Sequence, residues 1–173
     1  MEGYLGEAME KGLVLDAVIA QTEAQSKALW ALRENHTEAS KKEGPSIKHD
    51  ISVAVSKIPA FIPEGTKAMT GALPGCRPLI FGHVGDGNLH FNCQAPAGWT
   101  KAQFTPHTDQ ISNGIYDLVV GYGGSISAEH GIGRIKVDEL AHYRSKIELD
   151  TMRTLKRALD PQNIMNPGKV VRV

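Results

Sequence analysis

Residues 77–94 read RPLIFGHVGDGNLHFNCQ, and the architecture turns on this stretch. Two apolar-rich runs flank Asp86-Gly87, and an Asp-Gly pair between alternating residues signals an antiparallel hairpin. A two-residue turn there sets Gly85 against Asn88, Val84 against Leu89 and His83 against His90. Directly opposed residues hold their Cβ atoms about 4.5–5.5 Å apart. Two imidazoles so placed could share one divalent ion, at about 2.0–2.1 Å per nitrogen. Period-two alternation adds Asn92 to the His90 face and turns Leu89, Phe91 and Cys93 to the other. A half-exposed hairpin with two solvated histidines satisfies the same spacing, so the pair alone leaves both readings open.

Working outward, MEGYLGEAMEKG predicts a short helix closed by Gly12, and LVLDAVIA a short strand. Thr22 and Gln25 form a capping box ahead of EAQSKALWALRENHTEASKK, a helix stopped by Gly44-Pro45. In IKHDISVAV, Ile47, Ile51, Val53 and Val55 share one parity, the mark of a strand. A helix follows over IPAFIPEGTKAMTGALPG, with Pro63 and the glycines arguing against it. Beyond the hairpin, Thr105-Pro106 opens a helix whose Ile111, Ile115, Leu118 and Val119 share a face, ended by GYGG. SISAE is a short strand entering HGIGR. Two helices then flank a break near Tyr143. Ser145 and Glu148 cap the second, Asp160-Pro161 stops it, and NIMNPGKVV is extended. Strands separated by helices predict a sheet with helices packed on it.

At 173 residues the chain suits one domain with a core of its own. Nineteen basic and nineteen acidic side chains balance, which removes the electrostatic case for nucleic acid or an anionic membrane. No apolar run approaches the roughly 20 residues of a transmembrane segment, and the start is not a signal peptide. Cys76 and Cys93 match neither a disulfide framework nor a zinc finger. They read as buried small hydrophobes in a reducing compartment, the cytoplasm or an organelle interior. GHVGDG and GYGG lack the G-x-G-x-x-G spacing of a dinucleotide fingerprint, and no Walker loop or G-x-S-x-G elbow occurs.

A third metal ligand is available in SAEHGIGR. Glu129 and His130 end a strand before a glycine-flanked turn, and a bend at Gly131 could aim both at one site. Two histidines and a carboxylate make a divalent site with open positions; a carboxylate stabilising a helix N-terminus is the other reading of Glu129. A second set suits an anion. Arg33 and Thr37 are four apart on one helix face, and Lys48 lies on the strand face opposite Ile47 with Asp50 and Ser52. A guanidinium, a hydroxyl and an ammonium would hold a carboxylate; an exposed cation paired with Glu34 or Glu38 is the plainer alternative.

The segments ALWALRENHTEA (28–39), IKHDISVAV (47–55), FGHVGDGNLHFN (81–92), SISAEHGIGRIK (125–136) and LKRALDPQNIMNPGK (155–169), in this order, resemble the C-terminal half of FAD-linked oxidases acting on D-2-hydroxy acids. The likeness is nearest to the D-2-hydroxyglutarate dehydrogenase branch, with D-lactate dehydrogenases and the glycolate oxidase flavoprotein subunit as cousins. It covers nearly the whole chain, and the histidine hairpin together with AEHGIG is its specific part.

The resemblance implies an α+β domain over 1–173, a mainly antiparallel sheet with helices packed on it. It makes His83, His90 and Glu129 ligands of a divalent metal, zinc by preference. It places Arg33, Thr37, Lys48, Asn92 and His130 around the substrate. His130 would take the proton of the C2 hydroxyl while FAD accepts the hydride, and Asn166 would approach the flavin. The expected function is the substrate- and metal-binding cap of a flavin-dependent dehydrogenase converting 2-hydroxyglutarate, malate or lactate type acids to 2-oxo acids. Family members carry an FAD-binding domain ahead of this region. The chain is therefore expected to be inactive without such a domain, whether as a fragment, a split subunit or an excised piece. Its partners would be the small acid, a separate FAD domain and an electron acceptor. Two readings from other classes stand beside this one: a stand-alone metal-dependent hydrolase or lyase, and a non-catalytic docking domain.

Overall fold

Ile47, Ile51, Leu89, Phe91 and Cys93 are all buried, and the sheet that buries them is built around one strand. The computed structural model describes residues 1–173 and divides into two compact units, residues 1–43 and 44–173. In the second unit, β4 (Asn88–Gln94) is central. On one edge it pairs antiparallel with β3 (Arg77–Phe81), and on the other with β1 (Ser46–Ile47) and β2 (Asp50–Ser52). The last two keep a common register, Ile47 with Cys93 and Asp50 with His90. They are one strand interrupted at Lys48–His49, where the His49 amide donates to the Asn92 side chain at 3.3 Å.

The hairpin of β3 and β4 forms, but not with the expected turn. Phe81, not His83, stands opposite His90. Residues 84–86 make a 3-10 turn capped by Gly87 at φ +85°, and both the Asp86 and Asn88 amides donate to the His83 carbonyl. Gly87 is drawn the other way, its carbonyl accepting the Val53 amide at 3.1 Å. Asp86-Gly87 thus ends a longer loop rather than closing a tight turn. The slip is two residues, and an even slip preserves the facing of every side chain. Leu89, Phe91 and Cys93 do face the core, while Asn88, Asn92 and Gln94 on the other face are buried too.

α4 (Ile58–Ala72) runs through Pro63 as a full helix. Its buried face overrides local propensity: Phe61 is fully buried and meets the Phe91 and Tyr122 rings edge-on at 5.4 Å each. Gly65 lets the Phe91 ring approach, since a Cβ there would sit 2.7 Å from Phe91 Cζ. The short α5 (Lys101–Phe104) and a 3-10 turn over Thr105–His107 precede α6 (Thr108–Gly121), which inserts Ile111, Ile115 and Val119 into the same core. α7 (Val137–Tyr143) and α8 (Lys146–Leu159) follow, the latter opened by the expected Ser145–Glu148 capping box.

Two expected strands do not form in full. SISAE contributes only an isolated bridge between Ser52 and Ser125, because the next amides, Ala128 to His130, turn onto the Asp50 carboxylate instead of a ladder. The tail NIMNPGKVV is turned rather than extended. The Asp160 carboxylate takes the Ile164 and Met165 amides, each at 2.9 Å, and Asn163, Asn166 and Val170 have positive φ.

In the first unit α1 (Glu2–Glu10) ends before Gly12, which adopts φ +68° as expected. Residues 13–20 form no strand, because their unit is otherwise helical and offers no ladder to join. The long helix expected next is two, α2 (Glu23–Glu34) and α3 (His36–Lys42), broken at Asn35. Thr22 caps α2 by accepting the Gln25 amide, but the Gln25 side chain reaches back to the Gln21 amide, so the reciprocal box is not closed.

Candidate metal and substrate site

Two strands and two loops bring five ionisable groups together, Asp50 from β2, His90 from β4, His83 from the loop after β3, and Glu129 with His130 from the loop after α6. His90 projects from the middle of β4, between Phe81 and Asp50 on its two neighbours. His83 stands in the loop just beyond β3, and its Nδ1–H donates to Glu129 Oε1 at 2.5 Å. The other Glu129 oxygen lies 3.7 Å from His90 Nε2, so one carboxylate spans both histidines. No helix begins at Glu129, which removes the helix-terminus reading. His130 stacks on His90 with ring centroids 5.6 Å apart, and Gly131 at φ +71° supplies the bend that lets Glu129 and His130 reach the same place.

Asp50 sits beneath them with its side chain 2 % exposed. Burial by itself would raise its pKa. The His130, Glu129 and Ala128 amides, together with the nearby His130 ring, outweigh that and hold the carboxyl below its usual range. The set whose donor atoms all lie within 4.8 Å of one another is Asp50, His90 and His130. Burial pulls the His90 pKa down against the attraction of Glu129 and Asp50, which favours the neutral imidazole that metal ligation needs. The donor set of two imidazoles and a carboxylate, open to solvent at His83 and Glu129, fits a divalent ion of the zinc class.

The expected substrate residues fall in different places. Lys48, by the common register of β1 and β2, stands opposite Asn92 on the face that carries His90. It lines a cleft of about 620 Å³ with Lys101, Ser112, Tyr116 and Lys136. Asn92 is buried and accepts the His49 amide. Arg33 lies in the last turn of α2 and Thr37 in the first turn of α3, both in the first unit, so the break at Asn35 divides the helix face they were expected to share. Asn166 lies in the turned tail, its carboxamide oxygen accepting from Lys169 at 3.2 Å, beside a groove of about 480 Å³ lined by Met152, Leu155, Met165 and Val170. One carboxamide at an apolar groove does not compose a flavin cradle.

Asp50 and His49 were not singled out as site residues from sequence. The available signal for Asp50 was its parity, opposite the apolar Ile47, Ile51 and Val53. His49 is fully buried; its Nδ1–H donates to the Phe91 carbonyl at 2.8 Å, and its Nε2 accepts from Ser112 Oγ at 3.0 Å. Both cysteines are free and buried, and burial pushes the Cys93 thiol up, so neither is poised to react.

The second unit is thus an α+β fold whose antiparallel sheet carries Asp50 and His90, with His83 and Glu129 brought beside His90 by two loops. Residues 1–170 match the C-terminal domain of FAD linked oxidases, and the chain belongs to that family. It is 43% identical over 162 residues to a D-2-hydroxyglutarate dehydrogenase of Xanthomonas citri pv. viticola, covering 94% of this chain and 34% of that protein. A D-2-hydroxyglutarate dehydrogenase of Stutzerimonas stutzeri is 42% identical over 162 residues, covering 94% of this chain and 35% of that protein. A mitochondrial D-2-hydroxyglutarate dehydrogenase of Arabidopsis thaliana is 37% identical over 172 residues, covering 99% and 29%. The chain spans about a third of the length of these curated relatives. No helix is long and apolar enough to cross a membrane.

Proposed function

We propose that residues 1–173 form the substrate- and metal-binding part of an FAD-dependent dehydrogenase that oxidises small D-2-hydroxy acids to 2-oxo acids. The observation that carries this reading is Glu129 meeting both His83 and His90, with the relatives' names supplying the substrate class. His83, His90 and Glu129 would hold a divalent ion, zinc by preference. That ion would supply Lewis acidity, lowering the pKa of a hydroxyl bound beside it. His130, exposed and stacked on His90, would take the hydroxyl proton. Lys48 and Asn92 supply an ammonium and a carboxamide on the same face for a carboxylate. FAD, held by an FAD-binding domain in the same or a separate polypeptide, would supply the hydride acceptor. Most flavin contacts would come from that domain, with Asn166 approaching the flavin from this chain, so the isolated chain would be inactive.

Elemental analysis of the purified chain tests this reading. About one zinc per chain is expected, lost in His83→Ala, and Lys48→Ala should weaken binding of D-2-hydroxyglutarate while leaving the metal in place. A metal content unchanged by His83→Ala would sink the metal assignment. Turnover of a hydrolysable substrate by the metal-loaded chain without flavin would favour a hydrolase.

A further inference from the structure

We infer that Asp50 is the positioning residue of the donor set: its carboxylate, not itself a ligand, fixes His83, His90 and Glu129 relative to one another. The inference rests on the proposed metal reading and deepens it. Asp50 stands directly opposite His90 in the sheet. Its Oδ2 accepts three successive amides, from Ala128 at 3.1 Å, Glu129 at 2.9 Å and His130 at 2.8 Å, which ties the Glu129 segment to the strand beside His90. Its Oδ1 accepts the Asn88 carboxamide at 2.9 Å, and the Asn88 oxygen accepts the His83 amide at 3.4 Å. One carboxylate therefore reaches every segment that carries a donor, directly or through Asn88.

The same contacts decide against Asp50 as a ligand. A carboxylate has about four acceptor positions, and four N–H donors already engage this one. A metal at Oδ2 would have to displace the amides that hold residues 128–130, and one at Oδ1 would compete with the Asn88 carboxamide, whereas Glu129 takes no amide and faces the two imidazoles. Groups behind metal ligands commonly set affinity by 10–100-fold, a scale of about that size being expected here.

The test uses the 173-residue chain in two states. In metal-free protein, hydrogen exchange at the 128–130 amides should quicken at least about tenfold in Asp50→Asn and Asp50→Ala, with the β3–β4 ladder amides unchanged, as expected for local release. Zinc affinity, read by chelator competition, should fall about 10–100-fold in Asp50→Asn, which keeps the side chain's shape if Asp50→Ala does not fold. Unchanged exchange at 128–130 overturns the inference, and unchanged exchange with zinc lost makes Asp50 a ligand instead. Faster exchange with zinc affinity intact overturns it too, leaving Asp50 a fold anchor without influence on the site. Failure of the underlying metal reading appears separately, as equal zinc binding by the native chain and His83→Ala; the exchange result then still decides whether Asp50 holds the Glu129 segment.

Discussion

Glu129 lies 46 residues beyond His83 in the chain, yet its Oε1 stands 2.5 Å from His83 Nδ1. Two loops make that contact, one leaving β3 and one following α6. Both are pinned to the β2–β4 edge, the first by the Val53 amide on the Gly87 carbonyl and the second by the paired Ser52 and Ser125. The site is therefore a property of the sheet edge, and disturbing either pin should disturb the donors.

Glu129→Ala removes a partly exposed side chain, and such changes usually alter stability by less than about 0.5 kcal/mol. Zinc affinity should fall by an order of magnitude or more, with the urea midpoint nearly unmoved. Chelator competition and equilibrium unfolding measured side by side check the separation.

Gly87→Ala should damage fold and site together. At φ +85° an alanine is strained, and its Cβ would lie 2.2 Å from the Val53 carbonyl oxygen. Left-handed backbone at a non-glycine residue costs about 1–3 kcal/mol, and the backbone clash adds to it. A loss of at least about 2 kcal/mol in urea unfolding, with weakened zinc binding, is expected.

Gly65→Ala sets two effects against each other. Alanine gains about 1 kcal/mol of helix propensity over glycine, but its Cβ meets Phe91 Cζ at 2.7 Å, and overpacking costs about 1–3 kcal/mol. Phe91 is fully buried and held edge-on to Phe61, so it has little room to retreat. A net destabilisation of about 1 kcal/mol should appear, and a variant more stable than the native chain would show that the ring can move.

His49 makes stability acid-sensitive. Burial lowers its pKa from 6.5 to about 4, against the raising effect of its bond to the Phe91 carbonyl. The unfolded chain takes up a proton between those values that the folded chain refuses. Stability from this group is therefore complete above pH 6.5 and is lost as pH falls toward 4, by about 3 kcal/mol in all. Urea midpoints across that range should show the fall. In His49→Gln the slope should flatten, even though the variant starts less stable.

Local patterns in the chain determined most elements and every facing of the central strands. The 3.6-residue spacing of Ile111, Ile115 and Val119 specified a buried helix, Ser145 and Glu148 specified where α8 starts, and alternation separated Leu89, Phe91 and Cys93 from His90 and Asn92. These are short-range effects, written in neighbouring residues. The family was also legible, through motifs such as HVGDGNLH and AEHGIG. Tertiary structure alone decided the rest. Whether Asp86-Gly87 closes a tight turn or caps a longer loop depended on Val53 competing for the Gly87 carbonyl. Whether α4 survives Pro63 depended on Phe61 and Phe91 burying each other. SISAE gave up its ladder because a buried carboxylate from a distant strand accepts its amides more favourably than an edge can, charge-assisted bonds being the stronger kind. Asp50 itself was readable only as one polar residue among three on a strand face; its partners lie 78 to 80 residues away, beyond the reach of any local pattern.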